Sequence, residues 1–299
     1  TVDYKYDHTN IENVINKLIA FGPQKKRKEL IINCTTFPGY CENLQNRLES
    51  YNFAVSYNPE FIAQGEIVKG LEQSDIVFIG TEYPELGNML VKIYEKIQTT
   101  PVNAHIMSSK AAEVTKIGIN CFLTNKISYA NMMGDILMKA GLNKEIDTVL
   151  SAIGGDSRVG KKYMKYGFGF GGPCLPRDNR ALGFYAKNLG MELNLPLTVD
   201  DFNKEHSIFL KDHYISLNPN KETPFVMNYI TYKRGSDILE ESQQFKLCID
   251  LLDEGYFVNV IEIDEVAKNL QSLSESYNGR LKFYKQGTKP EGYVINLQW

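Results

Sequence analysis

Apolar and polar positions along the chain keep two rhythms, and the rhythm changes twice. Residues 11–20 repeat at helical spacing, with Asn10 or Thr9 placed as a cap and Gly22-Pro23 as a stop. Residues 30–36 form a short apolar run, and 41–51 return to helical spacing with Leu44 and Leu48 at i, i+4. Residues 53–57 and 75–80 are further apolar runs, the first ending at Asn58-Pro59-Glu60, and 84–98 is helical. Strands alternating with helices predict a parallel α/β sheet. Near Met107 the character shifts. Residues 109–140 hold no proline and are apolar on more than one face, which predicts one long helix buried on several sides. Gly141 stops it, and Asn143 caps a second helix to about residue 153, ended by Gly154-Gly155. A further helix spans roughly 198–216, after Pro196. The last third returns to α/β, with strands at 224–230, 256–264 and 293–299 and a helix at 242–254.

One stretch fits neither rhythm. Residues 167–178 read Gly167-Phe168-Gly169-Phe170-Gly171-Gly172-Pro173-Cys174-Leu175-Pro176-Arg177-Asp178. Glycines permit positive φ and let the backbone approach a ligand closely. The string matches G-x-G-x-x-G, yet residues 158–166 are not an apolar strand, and Pro173 and Pro176 delay any helix to about Asp178. A dinucleotide fingerprint needs a strand before it and a helix directly after, so this stretch is not one. Asp178 stands where an N-cap would, opening a helix over 179–189 that Gly190 closes.

Composition narrows the function classes. The 299 residues carry a net charge of -3, which argues against non-specific binding to nucleic acid or an anionic membrane. No apolar run reaches transmembrane length. Cys34, Cys41, Cys121, Cys174 and Cys248 are scattered with no C-x-x-C, which fits reduced thiols in the cytoplasm better than disulfides or a zinc site. His8, His105, His206 and His213 show no metal spacing and read as surface or structural.

Several side chains admit two readings. Cys174 is either a small buried hydrophobe or a well-aimed thiol. Asp178 is an N-cap, a cleft carboxylate, or both. Lys116 and Asn120 stand i, i+4 on one helix face, and Lys116 either snorkels to water or meets a partner. Glu60, Thr35 and Thr36 follow strand ends, where α/β sheets gather ligands. There is no G-x-S-x-G elbow, no Walker loop and no strand–GxGxxG–helix unit.

In order along the chain, these pieces resemble the UDP-glucose/GDP-mannose dehydrogenase family. Residues 34–39 are similar to its S-T-V-P-x-G, 57–65 to N-P-E-F-L-x-E-G, 116–128 to K-x-x-x-N-x-F-L-x-x-K-I-S, 156–160 to D-S-R-I-G, and 167–178 to G-F-G-x-G-G-x-C-L-P-K-D. The resemblance implies a Rossmann-like N-terminal α/β domain, present in part, over 1–106, a central long-helix domain for dimerisation and substrate over 107–216, and a C-terminal Rossmann-like α/β domain for the nucleotide sugar over 217–299. It implies oxidation of a sugar C6 alcohol to a carboxylate with two NAD⁺ per turnover. Cys174 would be the nucleophile of a thiohemiacetal and then a thioester. Lys116 would steady the alkoxide, Asp178 with a water would accept the alcohol proton, and Asn120 would position the sugar. Glu60, with Thr36 and a water, would promote thioester hydrolysis. Phe61, Ile62, Tyr163, Lys165, Phe168, Phe170 and Gly171 would line the nucleotide-sugar pocket, and Arg158 and Lys233 would face its phosphates or sugar. Thr36, Gln64 and Arg177 would lie toward the cofactor. No metal is implied, and the partner is a second copy of the chain through the central helix.

The departures lie on the cofactor side. The family begins with a βαβ unit carrying G-x-G-x-x-G, and this chain reads as starting after it. Gln64 stands where the family often has glutamate. Glu240 replaces an arginine in the stretch similar to K-x-x-T-D-D-x-R-E-S, which swaps attraction for repulsion toward phosphate. Two functions therefore stand: a UDP-glucose 6-dehydrogenase-like enzyme (or a GDP-mannose one), and a redox-inactive nucleotide-sugar-binding or structural relative.

Overall fold

The computed structural model describes residues 6–60, 67–192 and 194–297. In chain order the elements are α1 (Thr9–Ala20), β1 (Lys28–Ile32), α2 (Tyr40–Leu48), β2 (Phe53–Tyr57), α3 (Ile67–Glu72), β3 (Val77–Thr81), α4 (Pro84–Ile97), β4 (Ala104–Met107), α5 (Ser109–Lys139), α6 (Ile146–Gly155), α7 (Leu175–Asn188), α8 (Leu195–Leu217), β5 (Phe225–Met227), α9 (Gln243–Asp253), β6 (Val258–Ile261), α10 (Asp264–Asn269), α11 (Gln271–Ser276), β7 (Leu281–Tyr284) and β8 (Tyr293–Ile295). Two compact units result: Thr1–Ile119 with Phe184–Glu192, and Asn120–Gly183 with Leu193–Trp299. The division falls inside α5.

The first unit is built on a four-stranded sheet in the order β1-β2-β3-β4. β1 pairs parallel with β2, and β3 with β4. The purely parallel sheet expected from the alternation is interrupted once, because β2 meets β3 antiparallel at Ser56↔Thr81 and Tyr57↔Gly80. Every described residue of β2 and β3 is buried, as their unbroken apolar runs require of strands covered on both faces. Gly80 lets α5 come close: a β-carbon there would lie 2.7 Å from Ala112 Cβ and 2.8 Å from Ser109 Cα. Ile15 of α1, Leu44 and Leu48 of α2, and Tyr57 and Phe78 of the sheet form the core beneath.

The second unit carries a fully parallel sheet in the order β7-β6-β5-β8. Phe225, Val258, Val260 and Leu281 of its strands pack on Leu247, Leu251 and Leu252 of α9 and on Leu210 of α8. α9 starts at a side-chain cap, Ser242 Oγ accepting from Phe245 N at 3.1 Å. The part of α5 in this unit buries Ala130 and Leu137 against Ile146 and Leu150 of α6. It leaves Phe122, Tyr129, Met132 and Ile136 exposed.

Several helix starts differ from expectation, those of α1 and α6 among them. The position before α1 is His8, and Asp7 Oδ1 accepts from Thr9 N at 2.8 Å, so an acidic residue two places upstream replaces Thr9 or Asn10 as the anchor. Asn143 opens a 3-10 turn, and α6 begins only at Ile146. Among the described residues no helix is long and apolar enough to cross a membrane.

α1 is tied to α2 by one carboxylate. Glu12 accepts from Arg47 Nη1 at 2.9 Å and Nη2 at 2.8 Å, and from Tyr40 Oη at 2.6 Å. Arg47 first, then Tyr40, lowers the Glu12 carboxyl from 4.5 to about 2. A depressed carboxylate stabilises the fold above its unfolded value and loses that contribution as pH falls through the folded one. The urea midpoint is therefore expected to fall between pH 4.5 and pH 2, and Glu12→Gln is expected to remove part of that slope.

Candidate functional site

The glycine loop is an extended segment outside any sheet, so its buried peptide groups need partners from side chains. Asn131 of α5 supplies two: its Oδ1 accepts from Gly167 N at 3.0 Å and its Nδ2 donates to Phe168 O at 3.1 Å. Asn203 of α8 grips both sides of Phe170, accepting from its N–H and donating to its carbonyl, each at 2.9 Å. His206 Nε2 lies 2.8 Å from Gly167 O. The phenylalanines anchor the loop inward, Phe168 in the core under the second sheet and Phe170 against Ile127, Val199 and Leu175.

The alternating glycines have a specific cause. A β-carbon at Gly169 would run into Asn203 Oδ1, and one at Gly171 into the carbonyl of Glu241. Gly172 has φ +79°, and a β-carbon there would lie 2.5 Å from the Tyr232 ring. The close approach that the glycines allow is thus to the protein's own groups. Glu241, itself at φ +53°, is held by Arg180, whose Nη1 donates to its carboxylate at 2.6 Å while Nε donates to Asp200 at 3.1 Å.

Cys174 is exposed and directly precedes α7. Asp178 N donates to Cys174 O at 2.9 Å. This bond corrects the expectation that the prolines delay the helix to Asp178. Pro176 sits in the first turn, where a missing N–H costs nothing. Asp178 is therefore not the N-cap. It is fully buried one turn in, its Oδ2 accepting from Asn120 Nδ2 at 2.7 Å and its Oδ1 from Arg177 Nε at 3.0 Å. Cys174 occupies the end of the helix that favours negative charge. Cys248 lies at the other extreme, its thiol pushed up to about 12 by burial. Cys41 and Cys121 are also buried and raised.

Beside the loop lies a cavity of about 330 Å³ lined by Ile127, Lys161, Tyr163, Lys165, Gly167 and Phe168. It brings Tyr163, Lys165 and Phe168 together. Tyr163 has φ +66°, and Lys126 Nζ braces the preceding turn by donating to Gly160 O at 3.0 Å. Arg158 points to solvent and folds back onto Asp156 at 2.7 Å. Lys233 is exposed.

In the first unit Lys116 is buried and its Nζ donates to the backbone carbonyl of Glu60 at 2.5 Å, so it does not snorkel. The Glu60 residue itself is exposed. The turn before it hangs on Asn58, whose Nδ2 donates to Phe78 O at 3.0 Å and whose Oδ1 accepts from Tyr94 Oη at 2.8 Å. Thr36 is fully buried and donates to Glu113 Oε1 at 2.8 Å. The Glu113 carboxylate also accepts from Gly39 N at 2.5 Å and Cys41 N at 2.9 Å, at the N-terminus of α2. Phe61, Ile62 and Gln64 lie outside the described residues.

Glu113, Asn131, Asn203 and Asp135, the carboxylate partner of His206, lie outside the motifs, and the structural roles of Asn58 and Glu241 within them are not legible. Asn131 carried a signal, a polar residue on the buried face of an apolar helix. The others carried none, since their partners lie 20 to 77 residues away.

The described residues include no glycine-rich strand–helix junction. The N-terminus of α2, the natural place for a phosphate, is filled by Glu113. These residues do not fit the pyrophosphate of a dinucleotide.

Two models of one family match successive stretches of the chain. The NAD binding domain of the UDP-glucose/GDP-mannose dehydrogenase family matches residues 1–98, and its central domain matches 110–205. The chain belongs to this family. The UDP-glucose 6-dehydrogenase of Rickettsia bellii is 31% identical over 279 residues, covering 90% of this chain and 63% of that protein. That of Rickettsia conorii is 29% identical over 282 residues, covering 92% and 63%. The chain thus spans less than two thirds of the length of these relatives. A UDP-glucose dehydrogenase structure from the hyperthermophilic archaeon Pyrobaculum islandicum shares the fold, with a TM-score of 0.82, 24% identity, and coverage of 95% of this chain and 65% of that one.

Gly172 and Gly160 separate two costs. Gly160 has φ +76° and open space around its α-carbon, so Gly160→Ala carries only the left-handed penalty, roughly 1–2 kcal/mol. Gly172→Ala adds the clash with Tyr232 and is expected to lose about 1–3 kcal/mol more in urea unfolding.

Proposed function

We propose that the chain binds a nucleotide sugar, UDP-glucose, and serves the C6 oxidation of a UDP-glucose 6-dehydrogenase with Cys174 as nucleophile. The observation that carries this reading is an exposed thiol at a helix N-terminus, one turn from the buried Asp178–Asn120 pair. The thiolate adds to the carbon of a C6 aldehyde. The S–C bond forms, the carbonyl π pair moves to oxygen, and that oxygen takes a proton, giving a thiohemiacetal. Asp178, oriented by Asn120 and Arg177, accepts the alcohol proton through a water. The resemblance to the family assigns Lys116 to steadying the alkoxide and Glu60 to activating the water that releases the product. Tyr163, Lys165 and Phe168 line the cavity for the nucleotide sugar, with Arg158 and Lys233 drawing its phosphates, while Phe170 and Gly171 pack inward and hold the loop. The family's NAD binding domain matches residues 1–98, so NAD⁺ is the cofactor that the family leads one to expect, although the described residues form no pyrophosphate site for it.

A second reading is a nucleotide-sugar binder without redox activity. Glu113 at the α2 N-terminus and Glu240 in place of an arginine favour it. In either case the exposed apolar stripe Phe122, Tyr129, Met132 and Ile136 on α5 supports association with a second copy.

Two measurements test these readings. Intact-mass analysis after incubation with the C6 aldehyde of UDP-glucose is expected to reveal one adduct, mapped to Cys174 and absent in Cys174→Ser. An adduct confined to Cys34, the other exposed thiol, would overturn the assignment. Ile136→Glu is expected to convert the assembled species to monomer in sedimentation, with the adduct at Cys174 retained.

A further inference from the structure

The proposed chemistry leaves unused a buried polar cluster behind the glycine loop. His206 is 1% exposed. Its Nδ1 lies 2.7 Å from Asp135 Oδ2 and its Nε2 lies 2.8 Å from Gly167 O. A carbonyl only accepts, so Nε2 carries a proton. A second proton must lie between Nδ1 and the carboxylate. On whichever side it rests, the pair holds one proton more than a neutral imidazole beside an ionised carboxylate. Asp135 thus accepts on both oxygens, Oδ1 from Tyr166 Oη at 2.8 Å and Oδ2 from the ring N–H of His206.

The cluster is boxed in. The Phe202 ring lies nearly parallel to the imidazole, 6.2 Å away at 16°, and Tyr166 meets it edge-on at 5.7 Å and 79°. Tyr166 fits against α5 because Gly134 leaves the space its ring fills. The titratable groups that reach the pair are Tyr166, which donates to Asp135, and His213 on α8, which feels the Asp135 charge; Lys139, one turn along α5, is exposed and lies over the Phe209 ring instead. The imidazole has no exposed side-chain surface, whereas Asp135 keeps 13% of its own, so water reaches the pair only from the carboxylate side. Deprotonation sets two acceptors face to face, either at Asp135 or at Gly167 O, and one contact must open.

We infer that Asp135 and His206 form a proton-dependent latch on the first peptide of the glycine loop, and so position Cys174 through the loop backbone. Closed, the latch joins Asn131 and Asn203 in holding residues 167–170. Open, it leaves the loop to the two asparagines. Its bearing on reactivity rests on Cys174 being the reacting group; the latch itself does not.

Asp135→Asn makes the decisive variant. Its amide donates to a neutral Nδ1 while Nε2 still donates to Gly167 O, so the latch stays closed without the extra proton. ¹⁵N NMR of the full chain at neutral pH is expected to find both ring nitrogens of His206 protonated; one bare nitrogen would overturn the inference. Amide exchange at 167–170, corrected for the intrinsic rate, is expected to lose about tenfold protection as pH rises through the transition. In Asp135→Asn that loss is expected to vanish, and in His206→Gln protection is expected to be low at all pH. Iodoacetamide labelling of Cys174, mapped by peptide mass, is expected to follow the same pattern. Identical pH profiles in the parent chain and Asp135→Asn would overturn the latch. The NMR arm needs no variant, so a variant that fails to fold does not spare the inference. No arm uses sugar or dinucleotide, so failure of the latch and failure of the Cys174 adduct are separate results.

Discussion

A buried peptide group without a partner costs about 1–3 kcal/mol, and that constraint shapes the middle of this protein. The backbone at 167–170 presents Gly167 N and O, Phe168 O, and Phe170 N and O away from any sheet. All five are met by Asn131, Asn203 and His206. An amide side chain copies the donor and acceptor of a neighbouring strand. Two helices thereby stand in for the strand that the loop lacks. The glycines follow from this, because the grip of Asn203 leaves no room for a side chain at Gly169.

The first unit solves a related problem with charge. The start of α2 and the loop before it present Gly39 N, Cys41 N and the Thr36 hydroxyl, and the Glu113 carboxylate meets all three. A helix N-terminus attracts an anion; here the chain supplies its own from α5. The same device that stabilises the turn denies the position to a phosphate.

Thiol placement completes the division of labour. Cys41, Cys121 and Cys248 are buried packing residues. Cys174 escapes burial because the helix behind it begins immediately. Pro176 helps, since a proline in a first turn presets the helical φ without removing a bond. The residue that motif reading treats as a delay is part of what aims the thiol.

The chain by itself determined many of the elements and put forward the candidates for the site. The long helix expected over 109–140 is Ser109–Lys139, and the strand expected at 53–57 is Phe53–Tyr57, because burial on a regular element leaves its period in the sequence. The collinear motifs put forward Cys174, Asp178, Asn120 and Lys116 as site candidates, and the folded chain hydrogen-bonds Asn120 to Asp178. Only tertiary structure decided that β2 meets β3 antiparallel, that Asp178 is a buried acceptor and not a cap, that Thr36 gives its hydroxyl to Glu113, and that His206 joins Asp135 to the loop. The physical reason is range. Periodicity and capping act within a few residues of a position, whereas these partners stand from 23 residues apart (Tyr57 and Gly80) to 77 (Thr36 and Glu113), and no local pattern records which group will be waiting there when the chain has folded.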